Sequence, residues 1–451
     1  MKTLLTSAAL AAVLMSGGAA LAAEPTAAAV DGRWDAVLSR NGVEIPFRLD
    51  IKGDGPTLQG VFYDGFRPYD GTTSASFKDG KLVLNIEHYL TTIDATLADG
   101  KLSGTAAAQN REQSAAYSFR ATRHSDVIPA SNVSAPSIAG TWVIPLSAPS
   151  SKGEKAFRFI AEQRGAEVAG SILRIDGDTG SYSGSFKDGK WVLSHFDGGR
   201  PGVIEVTPKA DGTLEIRQRV DRPGAEAQTS NEYGAGQSDG RYAPTLTAYR
   251  QDVAVAKGLP QPDDFLTHTT ARDPNETFKF NFPDVSGRLI SNEDADFKGK
   301  VVLAIVTGTW CPNCHDEAQY LVQLDKKYHD KGLRIVALDF EEPEQQGGLA
   351  REKAFIKKYG VNYTYLIAGA PAEMWEKVPQ LNHLDTWPAT VFIGRDGKVK
   401  AVHSGFASPA SGEFNTQLQQ EFTARIEQLL AEKADAKVAA ASPAPPAHAL
   451  N

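Results

Sequence analysis

Cys311 and Cys314 are the only two cysteines of the 451-residue chain, and two residues separate them. A pair this close together cannot brace distant parts of a fold, so the sequence excludes a disulfide framework. Two thiols at this spacing can instead form and break a disulfide with each other. The segment Thr309-Trp-Cys-Pro-Asn-Cys314 is therefore the first candidate for a chemical site.

The elements on either side of this segment predict how it is positioned. Residues 301–306 are all apolar, which is typical of a parallel strand covered on both faces of a sheet. Leu321, Leu324 and Tyr328 then repeat at helical spacing, and residues 334–339 predict a second buried strand. This order predicts a strand–helix–strand unit with the two cysteines where the helix begins.

A helix N-terminus would assign different tasks to the two thiols. Its unpaired N–H groups and its dipole stabilise a thiolate at Cys311, and Pro312 fits the first turn, where no N–H is needed. In such a setting the pKa of a cysteine falls from about 8.5 to about 3.5–7.5. We expect Cys311 to be the exposed nucleophile, and Cys314 to be the shielded resolving thiol that breaks the mixed disulfide.

The rest of the C-terminal half continues the α/β pattern. Residues 349–359 predict a helix, and residues 389–393 and 399–403 predict a hairpin across an Asp-Gly turn. Apolar residues between 414 and 426 recur on one face of a closing helix.

Four motifs connect this half to a known family: Phe282-Pro-Asp-Val-Ser-Gly-Arg288, Phe297-Lys-Gly-Lys-Val-Val-Leu303, the dithiol segment and Thr386-Trp-Pro-Ala-Thr390. With them, residues 280–430 resemble the exported bacterial thiol-disulfide oxidoreductases of thioredoxin fold typified by TlpA and ResA. The resemblance covers about a third of the chain and implies a redox-active Cys311–Cys314 disulfide. It implies no cofactor and no metal.

The same resemblance implies roles for the residues near the cysteines. Glu317 matches an acid that moves protons for the buried thiol, although a carboxylate is also favoured there by the helix dipole alone. The family's proline motif implies a cis bond between Trp387 and Pro388 that faces the disulfide, leaves the neighbouring backbone free for a substrate chain and keeps metal away. Trp310 is expected to pack beside the disulfide. Residues 341–375 resemble the family's additional αβ element.

The cysteine pair also fits other chemical uses in part. The run Cys311-Pro-Asn-Cys314-His315 also satisfies the pattern for attachment of a c-type haem, as in an electron carrier. A structural zinc site would need two more ligands, and the chain has no second cysteine pair. Peroxide reduction favours a Pro and a Thr or Ser upstream of a lone cysteine, where this chain has Ala304 and Gly308.

The N-terminal half predicts two similar antiparallel β units, barrel- or sandwich-like, at residues 30–124 and 138–250. Short alternating apolar runs are separated by Gly-rich turns, as in antiparallel sheets. The sequence Ser76-Phe-Lys-Asp-Gly-Lys81 recurs at 185–190, and Trp34 has its counterpart in Trp142, roughly 110 residues later. The Gly-rich insertion at 221–240 predicts a mobile loop.

The remaining segments predict export and domain limits. Residues 1–22 have the features of a signal peptide cleaved near Ala22, so we expect a periplasmic protein with no membrane span in the mature chain. Residues 251–276 form a connector, residues 277–431 the thioredoxin-like domain, and residues 432–451 an Ala/Pro-rich disordered tail.

Charge and composition narrow the partners. The net charge is −8 and the basic residues are scattered, which argues against nucleic-acid binding. We therefore expect an exported thiol-disulfide oxidoreductase that reduces protein disulfides, is recharged by a membrane thiol donor and uses its β units to dock partners. The alternative is a binding or scaffold protein in which the dithiol domain is an accessory redox switch.

Overall fold

The computed structural model describes residues 27–110, 113–125, 135–219, 245–342 and 348–432. The predicted signal peptide, the insertion at 221–240 and the tail from residue 433 lie outside the described residues. The described chain forms two β units followed by an α/β domain.

The first β unit is an open, curled antiparallel sheet in the order β4-β3-β2-β1-β9-β8-β7-β6-β5. Alternate side chains of β1, β2 and β6 face one core, in which Trp34 and Phe62 are fully buried. No ladder joins β4 to β5 among the described residues, so the sheet is a half-barrel. Its strands are β1 Gly32–Arg40, β2 Val43–Lys52, β3 Gln59–Asp64, β4 Arg67–Gly71, β5 Ser74–Lys78, β6 Lys81–Ile86, β7 Thr91–Ala98, β8 Lys101–Asn110 and β9 Gln113–Arg123.

The second β unit is a closed barrel. Strand β11 pairs with both β10 and β12, which closes a ring of eight strands, and the short strand β13 extends from β12. This unit is thus a barrel and not a sandwich. Its strands are β10 Gly140–Pro145, β11 Ala156–Arg164, β12 Glu167–Arg174, β13 Gly177–Asp178, β14 Tyr182–Lys187, β15 Lys190–His195, β16 Gly202–Pro208, β17 Leu214–Gln218 and β18 Leu246–Arg250.

The two β units share one internal arrangement. In each, the indole of the first-strand tryptophan, Trp34 or Trp142, donates to the carbonyl four residues earlier, at 2.8 and 2.9 Å. An arginine from the last strand covers the ring, Arg123 at 4.1 Å from the centroid of Trp34 and Arg250 at 3.8 Å from that of Trp142. In each core, the indole N–H therefore has a hydrogen-bond acceptor and the ring face packs against a guanidinium group.

The C-terminal domain has a five-stranded sheet in the order β24-β23-β22-β26-β27, with β22 and β23 parallel as predicted. Helices α2, α3 and α5 cover one face of the sheet, and α4 and an aromatic cluster from the connecting segments cover the other. The strands of this sheet are β22 Val301–Thr307, β23 Leu333–Phe340, β24 Thr364–Gly369, β26 Ala389–Ile393 and β27 Val399–Ser404. Two short two-stranded sheets lie outside it: β19 Thr270–Ala271 pairs with β25 Leu381–Asn382, and β20 Asn281–Pro283 pairs with β21 Leu289–Ser291. The helices are α1 Gln251–Ala256, α2 Pro312–Tyr328, α3 Ala350–Tyr359, α4 Met374–Lys377 and α5 Glu413–Ala431.

The predicted helices and the predicted hairpin of this domain are present at their expected places. No helix in the described part of the chain is both long and apolar enough to cross a bilayer.

Candidate functional site

Cys311 is the N-cap residue of α2, and Pro312 is the first residue of that helix, as predicted. The fully buried strand β22 leads into this turn. Its backbone is fixed because the N–H groups of Cys314 and His315 both donate to the Cys311 carbonyl, at 3.1 and 3.3 Å. The Cys311 thiol therefore lies at the N-terminal, positive end of the α2 dipole, which favours a negative charge.

Cys314 lies one turn inside the helix and is fully buried. Both cysteines are free thiols here. Burial raises the pKa of the Cys314 thiol well above its usual range, and the hydrogen bond with Cys311 raises it further. Cys314 must therefore lose a tightly held proton before it can attack a disulfide.

Glu317 lies one further turn along α2 and is also buried. Burial raises the pKa of its carboxyl to about 8, although the Thr390 hydroxyl donates to Oε1 and opposes this shift. Its Oε2 has no hydrogen-bond partner among the described residues. Cys314 and Glu317 are three residues apart on α2 and both are buried, so the thiol and the acid lie on the same buried face of the helix.

The two predicted tryptophans pack together beside Cys311. The rings of Trp310 and Trp387 meet edge to face, with centroids 5.1 Å apart. The Trp310 indole donates to the Phe340 carbonyl at 2.9 Å, and the Cys311 thiol donates to the Trp387 carbonyl at 3.4 Å. The peptide bond between Trp387 and Pro388 is cis.

The expectation that Cys311 is exposed is wrong, because the residue is only 4% exposed. The barrel of the second β unit packs next to the dithiol turn. Between them lies a cavity of about 650 Å³, which we call the interdomain cleft. The α/β domain lines it with Trp310, Cys311, Pro312, Asn313, Asp385 and Trp387. The barrel lines it with polar residues that include Lys152, Glu154, Arg174, Asp176, Arg200 and Gln218.

Asp178 of β13 fastens the barrel to the α/β domain. Its buried carboxylate accepts from the backbone N–H of Ser408 at 2.7 Å and from the hydroxyls of Ser408 and Ser411 at 3.0 and 2.7 Å. Next to it, the Asp176 carbonyl accepts from the Asn313 side chain at 3.0 Å, one residue before Cys314. The wall of the cleft is therefore tied directly to the dithiol turn.

The first β unit reaches the same helix from another side. The rings of His88 and His315 contact each other at a tilt, with centroids 4.7 Å apart, and both residues are buried. The Tyr69 hydroxyl donates to Asp316, and Arg200 of the barrel lies 3.6 Å from the same carboxylate. Burial raises the pKa of Asp316 well above its usual range, while Arg200 opposes this shift.

His315 does not present a haem ligand. Its Nε2 donates to the Thr309 carbonyl at 2.7 Å, and its Nδ1 lies 2.9 Å from the Tyr359 hydroxyl. Burial lowers the pKa of the ring to about 3. Because both nitrogens bond within the protein, iron coordination would require breaking this packing.

Among the residues that the structure describes, two groups of side chains could hold a metal ion. His268, His383 and Asp385 lie together near the cleft, with His268 Nε2 2.7 Å from the Asp385 carboxylate. The other group is Asp339, Glu341 and Glu352, all buried. Burial raises the pKa of each of these three carboxyls, so protons can neutralise them without a metal.

Sequence reasoning located the residues of the dithiol turn but missed those of the opposite wall. Cys311, Pro312, Trp310 and Trp387 line the cleft, whereas Cys314, Glu317 and Pro388 lie buried behind it. Residues of the barrel wall had no motif that distinguished them. The acidic turn at 176–178 was a possible signal, since the matching place in the first unit has no such pair.

Comparison with known proteins first gives the class of the C-terminal domain. The sequence profile of the AhpC/TSA family matches residues 274–402. This range contains the dithiol turn, the proline motif and most of the five-stranded sheet. The domain thus has the fold of thioredoxin-type proteins.

Relatives of this domain include thiol-disulfide oxidoreductases named ResA. ResA of Bacillus thuringiensis strain Al Hakam is 32% identical over 124 residues, which are 28% of this chain and 65% of that protein. ResA of Halalkalibacterium halodurans is 27% identical over 159 residues, 34% of this chain and 81% of that protein. The chain thus spans slightly less than two thirds of the first relative's length. The predicted resemblance of the C-terminal domain to ResA is confirmed.

A solved structure gives a further likeness. A thiol:disulfide interchange protein of the thioredoxin family from Chlorobium tepidum TLS is 23% identical to this chain, with a TM-score of 0.28. The match covers 36% of this chain and 99% of that one.

Proposed function

We propose that the protein catalyses thiol-disulfide exchange between Cys311/Cys314 and disulfides of exported proteins. The observation that carries the proposal is the Cys-x-x-Cys at the start of α2, with Cys311 at the helix N-cap on the cleft and Cys314 buried behind it. The similarity of this domain to ResA supports the same class of reaction.

The exchange has two steps. The Cys311 thiolate attacks one sulfur of the substrate disulfide, forms a mixed disulfide and releases the other substrate sulfur as a thiolate. The Cys314 thiolate then attacks the Cys311 sulfur, which forms the Cys311–Cys314 disulfide and releases the second substrate thiolate. Two electrons pass to the substrate, and its two sulfurs take up protons.

We assign to Glu317 the proton of Cys314. A buried thiol with a raised pKa needs a base close by, and Glu317 is a buried carboxyl three residues after Cys314 on α2. With a pKa near 8, Glu317 exchanges a proton close to neutral pH, which is the range in which a general base works best. Its Oε2 is available for this task, because no described residue hydrogen-bonds to it.

We infer that the reaction runs in the reducing direction in the periplasm. An exported protein meets an oxidising compartment, so a reductase there needs a membrane thiol donor to recharge it. The predicted signal peptide and the similarity to ResA support this assignment.

We further propose that the two β units are copies of one unit with different tasks. Their recurring Ser-Phe-Lys-Asp-Gly-Lys turn and their matching tryptophan–arginine contacts support the duplication. The second unit lines the cleft, so its role in partner docking would be played at the dithiol itself. The first unit supports α2 through His88 and Tyr69.

Two cysteine variants test the proposal. Cys311→Ser should abolish reduction of a small disulfide, because the attacking sulfur is gone. Cys314→Ser should retain the first step and accumulate mixed disulfides at Cys311, visible by non-reducing electrophoresis and mass spectrometry. Wild-type turnover in both variants would disprove the catalytic assignment and favour the scaffold alternative.

A further inference from the structure

The second barrel restricts the approach of any substrate to Cys311. In a thioredoxin-type turn without a neighbouring unit, the N-cap sulfur would lie at the surface of the domain. Here Cys311 is only 4% exposed, and it faces the barrel across the interdomain cleft of about 650 Å³. Clefts of roughly 300–1,000 Å³ enclose small ligands, and a folded protein surface is far larger than such a space.

The barrel wall is a fixed part of the fold and not a loosely placed lid. Asp178 is buried and satisfies three donors of the segment 408–411 with its carboxylate. The backbone of Gly177 forms a bridge with Phe406, and a Cβ at this glycine would lie 2.5 Å from the Phe406 carbonyl. Moving this part of the barrel away would leave the buried Asp178 carboxylate without its hydrogen-bond partners, which is strongly unfavourable.

The lining of the cleft suits a peptide chain. Lys152 and Arg174 lie 2.6 and 3.7 Å from the Asp176 carboxylate, so both donors and acceptors face the space. Trp310 and Trp387 provide flat apolar surface next to the sulfur. The alternating N–H and C=O groups of a peptide chain can hydrogen-bond to such a lining. An apolar ligand would instead bury the charges of the lining without hydrogen-bond partners.

We propose that the interdomain cleft is a substrate subsite that admits a cysteine only on an extended chain. The substrate class is then a disulfide in a flexible protein segment or in a short free peptide, and not a disulfide presented on a folded surface. This inference rests on the proposed thiol-disulfide exchange and adds its specificity.

The test compares one disulfide in two states of the same protein. A small protein with a single surface disulfide is assayed with the full reduced chain, once folded and once as a destabilised variant that is unfolded under the assay conditions. A short peptide dimer bridged by one disulfide is assayed in parallel. Each rate is divided by the rate with dithiothreitol, which corrects for the intrinsic reactivity of that disulfide.

We expect the normalised rate to be at least tenfold lower for the folded protein than for its unfolded variant and for the peptide. Equal normalised rates for the folded and unfolded forms would overturn the inference while leaving the exchange intact. Failure to reduce any substrate, the peptide included, would instead contradict the proposed function.

A pair of tryptophan variants tests the subsite directly. Gln218→Trp adds bulk inside the cleft, and Thr247→Trp makes the same change at an exposed position on the same barrel. We expect Gln218→Trp to slow the peptide reaction at least fivefold while the midpoint potential of the dithiol stays unchanged, and Thr247→Trp to match wild type. A wild-type peptide rate in Gln218→Trp, with its fold intact by circular dichroism, would rule out the subsite.

Discussion

Glu317 links the chemistry of the site to pH. It carries a pKa of about 8 because it is buried, and it is the base that we assign to Cys314. In wild type, the resolving step should speed up as pH rises through 8, since more of the carboxyl is ionised. We expect Glu317→Gln to slow this step roughly a hundredfold and to remove its inflection near pH 8. Stopped-flow reaction with an aromatic disulfide reagent measures it, because the second released thiolate reports resolution.

The stability of the same variant provides the control. Between the ordinary pKa of 4.5 and about 8, folded Glu317 keeps a proton that the unfolded chain releases. Wild-type stability therefore falls with rising pH in this window, by roughly 1 kcal/mol per pH unit from this group. The free energy of unfolding of Glu317→Gln, measured in urea, should therefore increase relative to that of wild type as the pH rises over that range. Parallel stability curves for the two proteins would show that the carboxyl is not buried as described.

At this scale the sequence located the chemistry well. The cysteine pair, Pro312 and the tryptophans were predictable because each follows from a local motif. The exposure of Cys311 was not predictable, because it depends on Asp176 and Asp178, more than a hundred residues away, packing against the turn.

Strand β13 and the segment 408–411 form the joint between the barrel and the α/β domain. Asp178→Ala removes a buried carboxylate that accepts from three donors of the segment 408–411 and from the Gly180 N–H, so these donors lose their partner. We expect a loss of about 2–4 kcal/mol in unfolding free energy and faster alkylation of Cys311 by iodoacetamide in the native state.

Asp252→Ala is the matched control, because Asp252 is exposed on the short helix α1. It should change stability by no more than about 0.5 kcal/mol and leave alkylation unchanged. If Asp178→Ala also left both quantities at wild-type values, the joint would not hold the barrel in place.

The elements themselves were largely predictable. Continuous apolar runs gave β22 and β23, and helical spacing gave α2, α3 and α5, because burial imposes those periods. Alternation could not distinguish a barrel from a sandwich, since both bury every second residue. Only the pairing of β11 with both β10 and β12 decides the second unit.

At the scale of the whole molecule, the buried histidines His88 and His315 make the assembly sensitive to acid. Burial lowers the pKa of both rings, that of His315 to about 3. Below about pH 6.5 the unfolded chain binds protons that the folded histidines refuse, so stability falls as the pH falls from 6.5 towards 3. We expect His88→Gln to reduce the drop in melting temperature between pH 7 and 5.

His329→Gln serves as the comparison, because His329 is 46% exposed and lies outside the contact between units. It should reproduce the wild-type acid response. A wild-type response in His88→Gln as well would place the acid sensitivity elsewhere.

The contact between the three units was the part that the sequence could not predict. Its residues come from regions far apart in the chain, such as Tyr69, Arg200 and Asp316, and no local period or motif connects them. Long-range ion pairs of this kind follow from the assembled fold and leave no pattern within any one segment.

The central claim is that Cys311 and Cys314 form a reversible disulfide, and a redox titration of the full chain tests it most directly. The protein is equilibrated in graded dithiothreitol or glutathione buffers and its thiols are counted by alkylation and mass spectrometry. We predict that both thiols disappear together in one two-electron transition, with a potential nearer to about −270 mV than to about −120 mV for a reductase. Cysteines that stay alkylatable in every buffer would contradict the account.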